Sequence, residues 1–89
     1  SDAVGCILAQ EVVADRDLPP FHRVAMDGIA IRLDSLHSIN QTFSIAGVQA
    51  AGKAPTTLQY PNQTIEVMTG AVLPPGTDTV IRYEDVHIE

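Results

Sequence analysis

The chain is 89 residues long, with 45% hydrophobic and 18% charged side chains, and its eleven acidic residues against five basic ones leave a net charge of −6. That is the size of one domain or less, with enough apolar material for a core and too little charge for a disordered acidic tail. A pI near 4.7 and basic residues that never cluster argue against nucleic acid and anionic membrane surfaces as partners, and no apolar run approaches the ~20 residues of a bilayer span.

Aromatic residues are only 4% and Trp is absent, so the core is aliphatic and thin, and stability is expected to lean on a neighbouring domain or partner. The chain opens on Ser1, and Asp2-Ala3-Val4 reads as the last turn of a helix closed by Gly5, which suggests a piece of something longer. From Cys6 to Ala14 the β-branched Ile7, Val12 and Val13 favour a strand, with Cys6 as a small core residue. A single cysteine and the lack of a basic region followed by an apolar stretch point to a reducing, cytosolic compartment.

Asp15 to Pro20 is a charged turn whose Pro19-Pro20 forces an extended crossing segment. Asp27-Gly28 signals a turn or bulge, and Ile29 to Arg32 a short strand. Asp34 to Ile39 allows one helical turn, Thr42 to Ile45 a strand stopped by Gly47, and Ala50 to Pro55 a small-residue loop. Thr64 to Met68 is a strand ended by Thr69-Gly70, Pro74-Pro75-Gly76 a tight turn, and Thr79 to Tyr83 a final strand. Short strands separated by Gly and Pro every ten or so residues predict a mainly β unit.

Several chemistries are excluded. Gly47 to Ala54 comes within one residue of a phosphate-cradling P-loop, but Ala54 stands where a Mg²⁺-binding hydroxyl is needed, and Pro55 interrupts the helix that would hold the phosphates. His22, His37 and His87 lie far apart with no Cys or second His at ligand spacing, so no metal site is predicted. Glu84-Asp85 reads as a solvated strand end in preference to half a metal site. The acceptor patterns at Asn40 and Asn62 carry no weight without a secretory signal.

Two stretches stand out: Asp17 to Gly28, where a carboxylate sits beside glycine after a rigid proline crossing, and Met68-Thr69-Gly70-Ala71. Asp27 is suited to capping amides or holding a cation, and Thr69-Gly70 offers a hydroxyl and an N–H. The plainer reading is two turn residues bonding their own backbone.

At these residues the chain resembles the molybdopterin molybdotransferases, the family of bacterial MoeA and the E domain of gephyrin. Leu8 to Ala14 looks like the stretch leading to the family's D-L-P-P-F segment, and Ala25-Met26-Asp27-Gly28 matches A-M-D-G. Ala50 to Pro55 matches the A-A-G-K-x-P loop, Met68 to Ala71 the M-T-G-A element, and Pro74 to Val80 the P-x-G-x-D-x-V close. His22-Arg23-Val24 stands where the family usually shows a polar run such as D-N-S.

The resemblance implies an irregular, bifurcated or coiled β-sheet domain with short helical turns, from a larger multidomain enzyme. Residues 1–14 would be a stub of the linking region, 15–78 the β-rich N-terminal domain, and 79–89 a returning strand toward a separate α/β domain. The implied reaction inserts molybdate into adenylylated molybdopterin with Mg²⁺, releasing AMP, in a cytoplasmic homodimer whose cleft this domain lines. Asp27 and Thr69 would be the catalytic residues, and Gly28, Gly70 and Lys53 would bind substrate. The alternative is a non-catalytic β-rich interaction or dimerisation module.

Overall fold

The computed structural model describes residues 5–8, 14–36, 41–54, 56–60 and 62–88. Among them are the strands β1 (Gly5–Leu8), β2 (Ala14–Asp15), β3 (Gly28–Ile31), β4 (Thr42–Gln49), β5 (Gln63–Val67), β6 (Thr79–Arg82) and β7 (Val86–Ile88). They form one open mixed sheet in the order β2-β6-β3-β5-β4-β1-β7. The helical structure described is two short 3-10 turns, at Leu33–Ser35 and Tyr83–Asp85. The mainly β reading therefore holds.

Every strand pair is antiparallel except β4 with β5. A parallel pair needs a crossover of about a dozen residues to return the chain to its starting end, and the stretch 50–62 provides it. β3 is central, and all four of its residues are buried. Alternation sends Ile29 and Ile31 to one face with Phe43 and Ile81, and Ala30 to the other with Val24, Val67, Leu73 and Val80. A strand covered on both faces must be apolar throughout, and Gly28-Ile29-Ala30-Ile31 is.

Several expectations change on contact with the fold. Gly47 does not stop its strand: β4 continues to Gln49, and a register shift between Ile45 and Gly47 absorbs one residue as a bulge. Gly5 opens β1 opposite Ser44 instead of closing a helix. The strand that starts at Thr79 ends at Arg82, where Tyr83 turns into the second 3-10 segment, and β7 follows as a separate strand, so the returning strand expected over 79–89 is broken in two. Asp85 is not solvated but 5% exposed. The helix end at Asp2-Ala3-Val4, residues 9–13, the helical turn beyond Leu36, Pro55 and the side chain of Cys6 lie outside the described residues.

The proline crossing behaves as its composition dictates. Pro19-Pro20 turns the chain, with His22 donating to the Pro19 carbonyl at 3.2 Å, and Phe21 takes the left-handed φ of 66°. Residues 22–24 then run antiparallel to 70–73, through Val24 N–H to the Ala71 carbonyl and Leu73 N–H to the His22 carbonyl, both at 2.8 Å. Arg23 bridges Val72 at the centre of this ladder. β1, β6 and β7, from the stretches expected to link onward, are members of the same sheet.

Candidate functional site

β3 begins where β4, β5 and β6 end, so four strand ends line one edge: Gln49 lies beside Val67, Val67 beside Gly28, and Gly28 beside Arg82. Asp27 immediately precedes β3 and Thr69 follows β5 by two residues. Antiparallel pairing of these strands brings the two singled-out residues together across 42 positions of sequence.

Thr69 donates its backbone N–H to Asp27 Oδ1 at 2.7 Å and its hydroxyl to the same oxygen at 2.8 Å. Asp27 therefore does not bond its own turn, as the plainer reading expected. It clips one strand end to another. Asp27 Oδ2 accepts no hydrogen bond among the described residues. The amide bond and then the hydroxyl bond from Thr69 hold the Asp27 carboxyl below its ordinary value of 3.8. At neutral pH the pair thus presents an ionised carboxylate with one oxygen fixed and one open, on an exposed surface. The Asp27 carbonyl in turn accepts from Tyr83 N–H at 3.2 Å, tying the corner to the end of β6.

The other predicted site residues surround this clip in different ways. Gly28 is buried, and a Cβ there would run into the Ile81 carbonyl oxygen, so glycine is required by the close approach of β3 and β6. The Gly70 amide donates to the Val24 carbonyl at 2.8 Å, and Gly70 adopts a left-handed φ of 88°. Lys53 is exposed at the tip of the small-residue loop. That loop reaches the same corner: the Ala51 Cβ is 3.6 Å from where a Gly70 Cβ would stand.

Three contacts had no clear sequence signal. Gln49 is fully buried and spans its own loop, donating from Nε2 to the Lys53 carbonyl at 3.1 Å and accepting the Thr56 N–H on Oε1. A polar residue at a strand end before a run of small residues is the trace it leaves. Arg23 Nη1 donates to the Gly70 carbonyl at 3.3 Å. Arg82 Nε donates to Asp85 Oδ2 at 2.9 Å, which keeps the guanidinium firmly protonated and partners the buried carboxylate.

A P-loop is absent from this corner, because Gly47, Val48 and Gln49 are strand residues and the loop that follows leads into no helix among the described residues. No group of three or more His, Cys, Asp or Glu is placed to hold a metal ion among the described residues. No helix among the described residues is long and apolar enough to cross a membrane.

Comparison with known proteins shows what the chain as a whole is similar to. The family described as the MoeA N-terminal region (domain I and II) matches residues 1–89. A molybdopterin molybdenumtransferase of Synechocystis sp. is 46% identical over 84 residues, covering 94% of this chain and 22% of that protein. The Haemophilus influenzae protein of the same name is 38% identical over 88 residues, with 98% and 21% covered, and that of Staphylococcus aureus strain N315 is 35% identical over 82 residues, with 88% and 20% covered. The chain thus spans about a fifth of the length of these relatives.

Proposed function

The chain belongs to the MoeA N-terminal family, and on that premise we propose that it is part of a molybdenum cofactor biosynthesis enzyme that inserts molybdate into adenylylated molybdopterin and releases AMP. The observation that carries this reading is the Asp27–Thr69 clip, in which A-M-D-G and M-T-G-A meet through a doubly bonded Oδ1 and leave Oδ2 open. An ionised carboxylate held rigidly at one oxygen is preorganised to orient a charged group with the other.

In this reading the β-rich segment lines a cleft between two subunits of a cytoplasmic homodimer and faces the nucleotide-binding domain of the partner. Asp27 positions a cation or a donor in the cleft, Thr69 fixes that carboxylate, and Lys53 supplies a positive charge toward an anionic substrate. Gly28 lets β3 and β6 approach closely, and Gly70 takes the left-handed backbone of the turn, so that the corner forms. Mg²⁺ would contribute charge neutralisation on the phosphates, with Asp27 Oδ2 as one ligand.

The test uses the full-length protein with adenylylated molybdopterin, molybdate and Mg²⁺. Molybdate-dependent AMP release is expected, and its absence from a folded, substrate-binding preparation overturns the reading. A second reading, a non-catalytic interaction module, is favoured by one observation: Phe21 is 83% exposed beside an apolar groove of about 360 Å³ lined by Leu18, Val72 and Pro75. A full-length protein that assembles but releases no AMP would select it.

A further inference from the structure

The chain carries five Lys and Arg against eleven Asp and Glu, so carboxylates outnumber cations, and where a cation stands without one bears on what the surface can bind. Arg32 is bonded to Asp34 at 3.1 Å and Arg82 to Asp85 at 2.9 Å. Among the described residues Arg16, Arg23 and Lys53 form no ion pair. Arg23 lies on the Thr69-Gly70 turn through its bond to the Gly70 carbonyl, and Lys53 is exposed on the loop whose Ala51 abuts Gly70.

The turn offers an anion little by itself. The Gly70 amide is used by the Val24 carbonyl, and the Thr69 amide and hydroxyl are both used by Asp27. Donors at this point must come from side chains. Arg23 has them, because one contact to Gly70 leaves most of the five guanidinium N–H groups available. Its backbone is also fixed, since the 2.8 Å bonds of His22 and Val24 to the 71–73 strand lie on either side of it. An anion approaching Thr69 meets the Asp27 charge, and a guanidinium on the neighbouring carbonyl offsets that repulsion at short range.

We propose that Arg23 is an anion-binding residue of the Asp27–Thr69 corner, holding a tetrahedral oxyanion beside the Thr69-Gly70 turn. The chemistry is that of the planar guanidinium fork, which meets two oxygens of a phosphate or molybdate group at once, as a lysine ammonium cannot. The inference rests on the reading above that the substrates are anions, but its test does not require turnover.

The experiment measures calorimetric binding of sodium molybdate and, separately, of AMP to the full-length protein. The variants are Arg23→Gln and Arg23→Lys, with Arg16→Gln as the control for an unpaired cation elsewhere. Arg23→Gln is expected to weaken one probe on the order of ten- to hundredfold at an unchanged melting temperature, with Arg23→Lys recovering part of the loss and Arg16→Gln none affected. Loss of molybdate binding identifies the metalate as the anion held, and loss of AMP binding identifies the nucleotide phosphate. Unchanged affinity for both probes in Arg23→Gln overturns the proposal. So does a drop in melting temperature shared by Arg23→Gln and Arg23→Lys, which would make Arg23 only a fastener on Gly70. A protein that releases no AMP yet shows Arg23-dependent binding would sink the proposed reaction and leave this site standing.

Discussion

A single oxygen of Asp27 satisfies two donors of Thr69, and that economy separates the structural role of the residue from the chemical one. Asparagine keeps an Oδ1 acceptor in the same place, so Asp27→Asn preserves both bonds and removes only the charge. If the open oxygen acts in the cleft, turnover of the full-length enzyme falls on the order of a hundredfold with melting temperature nearly unchanged. Asp34→Asn is the control: Asp34 is exposed and its pair with Arg32 is a surface one, so neither activity nor melting temperature should move. The depressed titration of Asp27 adds a pH signature. Its contribution to stability is present above the unfolded value near 3.8 and is lost as pH falls through the lower folded value. Wild type should therefore lose melting temperature over that acidic window more steeply than Asp27→Asn. Parallel profiles in thermal scans would mean the bonds do not depend on the charge.

At the level of the strands, the corner depends on how closely backbones approach and on how one loop is held. Gly28→Ala places a Cβ into the Ile81 carbonyl, and since both partners lie in paired strands inside the sheet, relief requires β3 and β6 to part. A loss of about 1–3 kcal/mol in denaturant unfolding is expected. Gln49→Leu leaves the Thr56 N–H and the Lys53 carbonyl without their partner, which costs about 1–3 kcal/mol. Hydrogen exchange should localise the change to the 50–56 loop, with the Thr56 amide exchanging faster. Unchanged protection there would mean the loop is held by its own turn.

These same elements mark how far the sequence could be read. The buried β3 and the 63–67 strand were legible because apolar and β-branched runs bounded by Gly and Pro have few other uses. Asp27 and Thr69 were each legible as turn residues beside glycine, but their bond was not, because it is made by strand pairing across 42 positions and leaves no local pattern. The bulge at Gly47 was misread for a related reason: glycine marks an interruption, and only the partner strand decides whether the chain stops or slips by one residue. The break between β6 and β7 inside the expected returning strand was not legible, because β7's three residues follow a 3-10 turn and take their strand character from pairing with β1. The role of Gln49 needed the loop closed above it before its amide had anything to bond.

Taken whole, the described residues bring one open carboxylate oxygen, the Thr69 hydroxyl and the guanidinium of Arg23 to one end of a single sheet, in a chain carrying a net charge of −6. For the substrates proposed above, an anionic pterin nucleotide and molybdate, long-range attraction by such a body is unfavourable, and capture would rely on contacts made at short range. The described residues contain no phosphate-cradling loop and no helix N-terminus to hold a pyrophosphate, which are the usual devices for nucleotide phosphates. The chain also spans about a fifth of the relatives it matches. The 89-residue chain on its own is therefore expected to show no molybdate insertion, even where its fold is intact. Incubation with adenylylated molybdopterin, molybdate and Mg²⁺, with AMP followed by chromatography, checks this against a protein-free blank. AMP above the blank, lost again in Asp27→Asn, would place the complete catalytic apparatus on this one sheet and refute the view that it supplies only one wall of the cleft.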